Sequence, residues 1–519
     1  MTSRFNATLT AITALLLIGL IPPAIELAAS LVDAFDTLSE LCTGYNLRAV
    51  TNTFLLGAGV ALVATTLGTV IAVAIATSSA PVRLTLKALF LAPIFAPSIM
   101  PAIGLIYLIG ANGMLMQCEL YGATGVFLGA LIFALPHATL QIQVGLSSFD
   151  ARLLDVARSL GAGPFERFYG ILLAHLKPAL INGALIAFVL TVTDFGVPKL
   201  LGGSFPVLAT EIYNQAIGSQ NFAAAAFLSL WLLVPCLIAF YFAGRVKTAG
   251  QAQGARALTA RDLGASSQTI SIAACVIVAM QLATLLAVIY GAFVTFWPYV
   301  PDLTLANFAF KNSTYGIAPW VNSLILALGV ALLGTAISMT AGYLSVRTKA
   351  SSRLKKLYEM IASVPLCVPG TVLGLGFAMA FSSMSIFDLP FFAMGLLIFN
   401  TLIHLYTVAH VTAQSTLKQI DPQYETVGQS LGVGFTANLR EVILPLSASG
   451  IRDIFCYLFA SAVTTISAVV FLYTPQTMPA AVAAIQMIDS GFISEGAAMS
   501  TLVFASALTV RLLALKLIK

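Results

Sequence analysis

The chain has 519 residues, of which 59% are hydrophobic and 9% are charged, with a formal net charge of +5. This composition excludes an ordinary soluble globular protein, in which about 25% of the residues are charged. It is typical of a polytopic membrane protein. The positive charge gives no reason to expect a nucleic-acid partner, because the basic residues follow the membrane topology predicted below.

Apolar runs of about 18 residues or more recur along the chain, each long enough to cross a hydrocarbon layer about 30 Å thick. They lack the alternation of apolar and polar residues that membrane strands show, so an all-α fold is predicted. The first run has no small-residue cleavage site at its end, which predicts an uncleaved anchor. Twelve membrane helices are predicted, at 9–31, 52–77, 88–110, 122–147, 177–198, 222–244, 270–296, 320–346, 360–382, 391–415, 452–474 and 496–517.

The basic residues set the orientation, because Lys and Arg concentrate in the cytoplasmic segments of inner-membrane proteins. With the N-terminus inside, all but three of the 25 Lys and Arg residues fall in cytoplasmic segments, the exceptions being Arg48, Lys199 and Lys311. Both termini are therefore predicted to be cytoplasmic, in a bacterial inner membrane.

The chain repeats itself on either side of a polar stretch at 248–269, which predicts a first half at 1–247, a cytoplasmic linker and a second half at 270–519. Asn52 matches Asn322 at an offset of 270, and Gly104 matches Gly376 at an offset of 272. Six helices per half is an even number, so the halves are predicted to be parallel repeats. A pseudo-twofold axis along the membrane normal follows, with a transport path between the halves.

Two polar segments lie at equivalent places between the fourth and fifth helices of each half. One reads "DARLLDVARSLGAG" from Asp150 and the other "DPQYETVGQSLGVG" from Asp421. Each Asp is suited to accept bonds from free amides at a helix start, and Gly161 and Gly432 can adopt the left-handed conformation that ends a helix. Each segment therefore predicts a helix of about ten residues, roughly 15 Å long, followed by a turn and a second helix.

These paired segments resemble the cytoplasmic loop of permease subunits in binding-protein-dependent ABC importers of type I. That loop has the pattern E-A-A, three residues, G, nine residues, I-x-L-P. The matching positions are Asp155, Val156, Ala157, Gly161, Ile171 and Leu173 in the first half, and Thr426, Val427, Gly428, Gly432, Val442, Leu444 and Pro445 in the second. The sequence departs from the pattern at Ala174, and at Thr426, where Glu425 lies one residue early.

The resemblance implies that the loops 150–174 and 421–445 are coupling loops, which dock on a dimer of ATP-hydrolysing subunits and transmit its closure. It also implies an external solute-binding protein. The chain has no G-x-x-x-x-G-K-[ST] phosphate loop, so it is predicted to bind no cofactor and to be no enzyme, with ATP and Mg²⁺ on the partner. The candidate coupling residues are Asp155, Ala157, Arg158, Gly161, Glu425, Thr426, Gly428 and Gly432.

The length and the two halves resemble the ferric iron, thiamine and phosphonate branch of this family. Within it, "TDFGVPKLLGG" at 193–203 resembles permeases for 2-aminoethylphosphonate most. That solute is the first expectation, and ferric iron, thiamine or a polyamine are the alternatives. A secondary transporter is a rival class, but it would leave the paired short helices unexplained. A membrane-embedded enzyme is another, but the four histidines and scattered acids form no catalytic arrangement.

Three charged residues are candidates for the solute pathway. They are Asp194, Lys199 and Glu26. A count along the fifth helix places Asp194 at its outer end, where it would either pair with a neighbouring helix or Lys199, or meet a cationic group of the solute. Glu26 follows Pro22 and Pro23, which predict an interruption or a kink in the first helix. Prolines are also expected to break the third and ninth helices near the pathway, at Pro93, Pro97, Pro365 and Pro369.

The sequence predicts no metal site. His404 and His410 lie six residues apart in the tenth helix, about 600° of rotation, so they are expected to point to different faces. Of the six cysteines, Cys42 and Cys118 fall in outer segments, where either a disulfide or two thiols would fit.

Overall fold

The computed structural model describes residues 2–35, 44–246, 255–264, 266–348, 350–381 and 384–517. The fold is all-α, as predicted, and one antiparallel hairpin pairs β1 (Val294–Phe296) with β2 (Val300–Leu303). The first half contains α1 (Thr2–Phe35), α2 (Gly44–Thr77), α3 (Ala80–Leu91), α4 (Ile99–Ile109), α5 (Ala123–Ser147), α6 (Arg152–Ser159), α7 (Pro164–Thr193), α8 (Gly196–Leu201), α9 (Leu208–Tyr213) and α10 (Phe222–Arg245).

The described part of the linker contains the short helix α11 (Ala260–Leu263), and most elements of the first half recur in the same order in the second. A 3₁₀ turn follows α3 at Ala92–Phe95, and another at Val364–Cys367 follows the equivalent helix Ser352–Ser363. The second half contains α12 (Ser266–Phe293), α13 (Ala318–Arg347), α14 (Ser352–Ser363), α15 (Gly370–Phe381), α16 (Pro390–Lys418), α17 (Gln423–Ser430), α18 (Phe435–Leu446), α19 (Ala448–Thr464), α20 (Ala480–Asp489) and α21 (Ile493–Leu517).

Within the described residues, nine helices are long and apolar enough to cross a membrane, and the count reaches 12 if each of three bent pairs is one span. The pairs are α3 with α4, bent by 107°, α14 with α15, bent by 106°, and α18 with α19, bent by 69°. The first two bends lie at Pro93 and Pro97 and at Pro365 and Pro369, as predicted, because proline cannot donate the next helical bond. Pro22 and Pro23 do not interrupt α1, which is continuous through both residues, so the predicted interruption was wrong.

The first helix of each half packs against the other half. The helix α1 contacts α14 and α15, while its equivalent α12 contacts α3 and α4. Gly104 on α4 lies so close to Thr284 on α12 that a side chain would overlap its backbone, and a Cβ on Gly376 would come within 2.8 Å of Pro23 Cβ on α1. The paired glycines therefore let each first helix cross the opposite half at close range.

Another matched pair of residues holds the short helices α9 and α20, which the sequence analysis did not predict. Asn52 Nδ2 donates to the carbonyl oxygen of Pro206 at 3.0 Å, and Asn322 Nδ2 donates to that of Gln476 at 2.9 Å. The next hydroxyls, Thr53 Oγ1 and Ser323 Oγ, accept from the first N–H groups of the short helices, those of Leu208 at 2.8 Å and Ala480 at 2.7 Å. The internal repeat thus preserves the anchors of both short helices.

The close crossings predict a specific loss of stability. Gly104→Ala and Gly376→Ala should each lower the free energy of unfolding by about 1–3 kcal/mol, because the added methyl overpacks a helix crossing. Thermal unfolding of the purified chain in detergent measures this as a lowered midpoint. Gly395→Ala on α16 is the matched control, since a methyl there meets no atom within 4 Å. Equal midpoints for all three variants would contradict the crossing argument.

Candidate coupling loops and transport pathway

The first candidate loop begins with an acidic cap and ends its helix at a glycine. Asp150 Oδ1 accepts from the backbone N–H of Arg152 at 3.0 Å, and this bond is the main cause that holds the pKa of Asp150 below its usual value. The helix α6 then runs for eight residues, slightly shorter than expected, and Gly161 follows with a φ of +84°. The predicted left-handed helix stop is confirmed, because L side chains rarely adopt that conformation.

The second loop has the same construction 271 residues later. Asp421 Oδ1 accepts from the backbone N–H of Gln423 at 2.8 Å, α17 runs for eight residues, and Gly432 has a φ of +72°. Each loop continues into a helix that contains a π turn, at Arg167–Leu173 in the first half and Leu439–Ile443 in the second. The loops are therefore alike in backbone as well as in sequence.

The halves differ where the loop enters the membrane bundle. In the first half, α7 continues unbroken from the loop to Thr193. In the second half, α18 and α19 are bent by 69° at Ser447, two residues after Pro445. Ala174 stands at the position of Pro445 and keeps the backbone donor that proline lacks. The departure from the family pattern at this position thus coincides with a straight helix in one half and a bent one in the other.

Each short helix has one apolar face turned outward. These exposed residues recur at matching positions, and the exposed fraction reaches 82% at Leu160 and 75% at Leu431. The opposite face packs inward, through Leu154 in the first half for example. An exposed apolar surface on an otherwise polar loop indicates a docking surface for another molecule. The outward residues are Leu153, Val156 and Leu160 on the first loop and Tyr424, Val427 and Leu431 on the second.

The candidate coupling residues separate into outward and inward positions. Ala157 is buried, and Gly428 lies against the side chain of Asn438, so neither presents a side chain outward. Asp155 is exposed and Glu425 is half-buried, and each pairs with an arginine of this chain. Four candidates are exposed and free to meet a partner protein, namely Arg158, Gly161, Thr426 and Gly432.

Each loop is in contact with one other segment of the chain, the first with the linker and the second with the start of the chain. The rings of Phe5 on α1 and Phe435 on the second loop lie 5.4 Å apart between centroids. Arg256 in the linker bonds to Asp155 on the first loop at 2.9 Å. The start of the chain therefore lies beside the second loop, and the linker lies beside the first.

Asp194 lies at the end of α7, as the first residue beyond the helix, and it is buried. Its carboxylate accepts from the backbone N–H groups of Gly196 at 3.3 Å and Val197 at 3.0 Å, and from the hydroxyl of Ser98. These donors are the start of α8 and the turn before α4. Asp194 thus supplies the acceptor that a broken helix needs inside the membrane bundle.

The second half has no carboxylate at the equivalent position, which is occupied by Thr465. The backbone is nevertheless the same, because the ψ angle is 132° at Asp194 and 139° at Thr465. The two turns meet between the halves, since a Cβ on Gly196 would lie 3.2 Å from the side chain of Ile466. The acidic candidate therefore belongs to one half only.

The other pathway candidates do not join Asp194. Lys199 Nζ pairs with Asp489 Oδ2 of the second half at 3.5 Å and lies 5.8 Å from the ring centroid of Tyr213. Glu26 is exposed on α1, and no contact recorded among the described residues links it to Asp194 or Lys199. Lys199 therefore pairs with an acid of the second half and not with Asp194.

The two histidines of α16 lie on different faces. The Tyr358 hydroxyl and His410 Nδ1 share a buried hydrogen bond of 2.9 Å, whereas His404 Nε2 approaches Gly370 on α15. The described residues contain no group of three or more His, Cys, Asp or Glu side chains that could hold a metal ion. Cys42, one partner of the candidate disulfide, lies outside the described residues.

The fold and the paired loops define a multi-pass, all-α membrane protein built from two repeats, with an exposed apolar helix in each. The chain belongs to the family described as binding-protein-dependent transport system inner membrane component, whose family model matches residues 64–248 and 334–519. It is therefore an inner-membrane permease subunit of an ABC importer.

Three relatives show the range of similarity. The ferric transport system permease protein FbpB of Actinobacillus pleuropneumoniae is 26% identical, over 86% of this chain and 68% of the relative. The putative ferric transport system permease protein FbpB 1 of Haemophilus influenzae is also 26% identical, over 91% of this chain and 78% of the relative. The spermidine/putrescine permease PotB of the same organism is 32% identical over 22% of this chain and 42% of the relative.

The geometry of Asp194 predicts a structural effect for its removal. Asp194→Ala should lower the free energy of unfolding by about 1–3 kcal/mol, because the N–H groups of Gly196 and Val197 lose their acceptor. Asp194→Asn keeps a carbonyl oxygen at this position and should lose less. Thermal unfolding in detergent measures both, with Glu26→Gln as an exposed control. A midpoint for Asp194→Ala equal to that of Glu26→Gln would refute the capping role.

Proposed function

We propose that the two loops are the docking sites for a pair of ATP-hydrolysing subunits, one on α6 and one on α17. The observation that carries this proposal is the matched apolar face at positions 153, 156 and 160 and at positions 424, 427 and 431. Residues spaced three and four apart lie on one side of a helix, so each face forms a continuous strip. Each of the two ATPase subunits would contact one strip, which explains why both halves keep it.

The loops are built to act as levers. Each short helix is fixed at its start by an aspartate and at its end by a left-handed glycine, so it moves as a rigid unit. Closure of the ATPase dimer would move both units and shift the helices that follow them, which changes the access to the path between the halves. ATP and Mg²⁺ bind to the partner in this scheme. The solute is delivered by an external binding protein.

The proposed orientation places both termini, the linker and the docking faces in the cytoplasm. It rests on the positions of the basic residues, of which all but three fall on that side of the predicted topology. The proximity of Phe5 to Phe435 and of Arg256 to Asp155 supports a shared side for these segments. The external binding protein would then meet the opposite end of the bundle.

For the solute we propose ferric iron first, supported by the names of two relatives that align along most of this chain. The second candidate is 2-aminoethylphosphonate, favoured by the resemblance of residues 193–203 to permeases for that compound. Asp194 in this segment is buried and bonded to backbone amides, so it is not placed to receive the ammonium group. That geometry favours ferric iron over 2-aminoethylphosphonate.

Docking on the apolar strips predicts the effect of charge. Leu160→Asp and Leu431→Asp should each weaken binding of the ATPase subunit by about 2 kcal/mol or more, the size expected for a central interface residue. Co-purification of the complex in detergent measures the bound ATPase. Thr436→Asp is the control, because it adds the same charge at an exposed position of the second loop outside the strip. Full ATPase binding by both leucine variants would overturn the docking proposal.

The two solutes are separated by a deletion strain. Loss of the gene should reduce uptake of radiolabelled ferric iron under iron limitation, and leave growth on 2-aminoethylphosphonate as sole phosphorus source unchanged. The opposite pattern would replace the first candidate by the second. Normal results in both assays would exclude both solutes, although the permease class would stand.

A further inference from the structure

The linker lies on the first loop as an ordered strap, which we define as residues 255–264. The backbone N–H of Arg256 donates to Asp150 Oδ1 at 3.1 Å, and the N–H of Ala151 donates to the carbonyl oxygen of Arg256 at 2.9 Å. These bonds join the strap to the residues that start α6. The linker therefore makes specific contacts with the start of α6 in addition to joining the two halves.

The guanidinium of Arg256 joins α6 to the strap's own short helix. Arg256 Nη2 lies 2.9 Å from Asp155 Oδ2 and 2.8 Å from Asp262 Oδ1, and it also donates to the carbonyl oxygen of Ala151 at 3.1 Å. Asp262 Oδ2 accepts from the N–H and the hydroxyl of Thr259, each at 2.8 Å. Burial alone would raise the pKa of Asp262, but the bonds from Arg256 and Thr259 outweigh it and lower the pKa, so the pair is charged at neutral pH.

An apolar contact fixes the strap between these polar ones. Leu258 is only 3% exposed, and it belongs to one buried cluster with Leu154 on α6, Phe149 before it and Leu172 after it. Burying a leucine side chain contributes about 1.5–3 kcal/mol relative to leaving it in water. The strap is thus part of the packing that supports the inward face of α6.

The second loop receives a guanidinium from a different source. Arg347, the last residue of α13, donates through Nη2 to the carbonyl oxygen of Ile420 at 2.7 Å, and its Nε lies 3.5 Å from Glu425 Oε1. The equivalent helix α2 ends at Thr77, which carries no charge. The second loop is therefore supported by an arginine of its own half, at the end of α13, and the first loop by an arginine of the linker.

We infer that Arg256 is a positioning residue for the first ATPase contact, and that the strap is a working part of the first lever. The inference rests on the proposed docking of ATPase subunits on the loops. The strap leads directly into α12, which begins at Ser266 and packs against α2 and α4 of the first half. A displacement of α6 therefore passes through Arg256 and Leu258 to the first helix of the second half as well as to α7.

The test compares arginine variants in proteoliposomes that contain the full chain, its ATPase partner and the solute-loaded binding protein. The measured quantity is solute transported per ATP hydrolysed, beside the amount of ATPase bound. Arg256→Ala should lower the transport ratio about 5-fold or more, the lower range of typical coupling between sites. Arg261→Ala, an exposed arginine of the same strap, is the matched control and should keep the wild-type ratio.

A double-mutant cycle separates positioning from a general loss of stability. Asp155→Ala should lower the transport ratio as well, and Asp155→Ala with Arg256→Ala should be no worse than the more affected single variant, because both remove one interaction. Additive effects, or a normal ratio for Arg256→Ala, would overturn the inference. If Arg256→Ala does not accumulate, Arg256→Lys keeps the charge but not the forked geometry, and it should still lower the ratio.

The wild-type complex distinguishes failure of the proposed docking function from failure of the role given to the strap. If the wild-type chain binds no ATPase subunit, the proposed docking function fails before any variant is measured. If the wild type couples transport to ATP hydrolysis and Arg256→Ala matches Arg261→Ala, the docking function stands and only the role of the strap is rejected.

Discussion

The rest of this structure depends on one constraint, which is that backbone polar groups inside the bundle must find partners without help from water. Long helices meet the constraint internally, and every break needs an acceptor or donor from elsewhere. Asp194 meets it where α7 ends, by accepting from the amides of the next turn. Thr53 and Ser323 meet it where the chain enters α9 and α20. Asp194, Thr53 and Ser323 therefore bond to backbone amides at places where a helix begins.

Comparison of the two repeats distinguishes residues that have the same structural role in both halves from residues that make the halves different. Gly104 and Gly376 do the same work in both halves, since each admits the first helix of the opposite half. The outward strips on α6 and α17 are also equivalent in position. The supports behind the strips are not, because Asp155 pairs with Arg256 of the linker and Glu425 pairs with Arg347. Similar exposed apolar faces are thus held by unlike anchors.

Features with a local signal could be predicted from the sequence. Long apolar runs indicated the helices, and Gly161 and Gly432 indicated helix stops because their conformation is a property of the residue itself. The alignment also found Gly104 and Gly376, although their role needed the crossing helices. The interruption predicted at Pro22 and Pro23 was wrong, because a helix packed in a bundle tolerates proline when its neighbours compensate. A Cβ on Gly376 would nearly touch Pro23, which shows how closely α15 covers that stretch.

Features that depend on distant partners had no such signal. The strap could not be found from the sequence, because Arg256 and Asp155 are 101 residues apart and Arg256 lies in no recurring pattern. The short helices α9 and α20 were missed because their apolar segments are too short to span a membrane. Asp194 was placed correctly near a helix end, but a count along the chain cannot distinguish a residue that caps a turn from one that faces a solute.

If the two loops transmit ATPase closure as proposed, their unlike anchors connect them to different sets of helices. The first loop continues straight into α7 and is also tied through the strap to α12, so a push on α6 acts on helices of both halves. The second loop enters the bundle through the 69° bend between α18 and α19, and its anchor Arg347 belongs to its own half. If ATPase subunits dock on both loops as proposed, equal closure would therefore produce unequal displacements. A fused chain permits this inequality, because the linker exists once and its described part, residues 255–264, lies on the first loop.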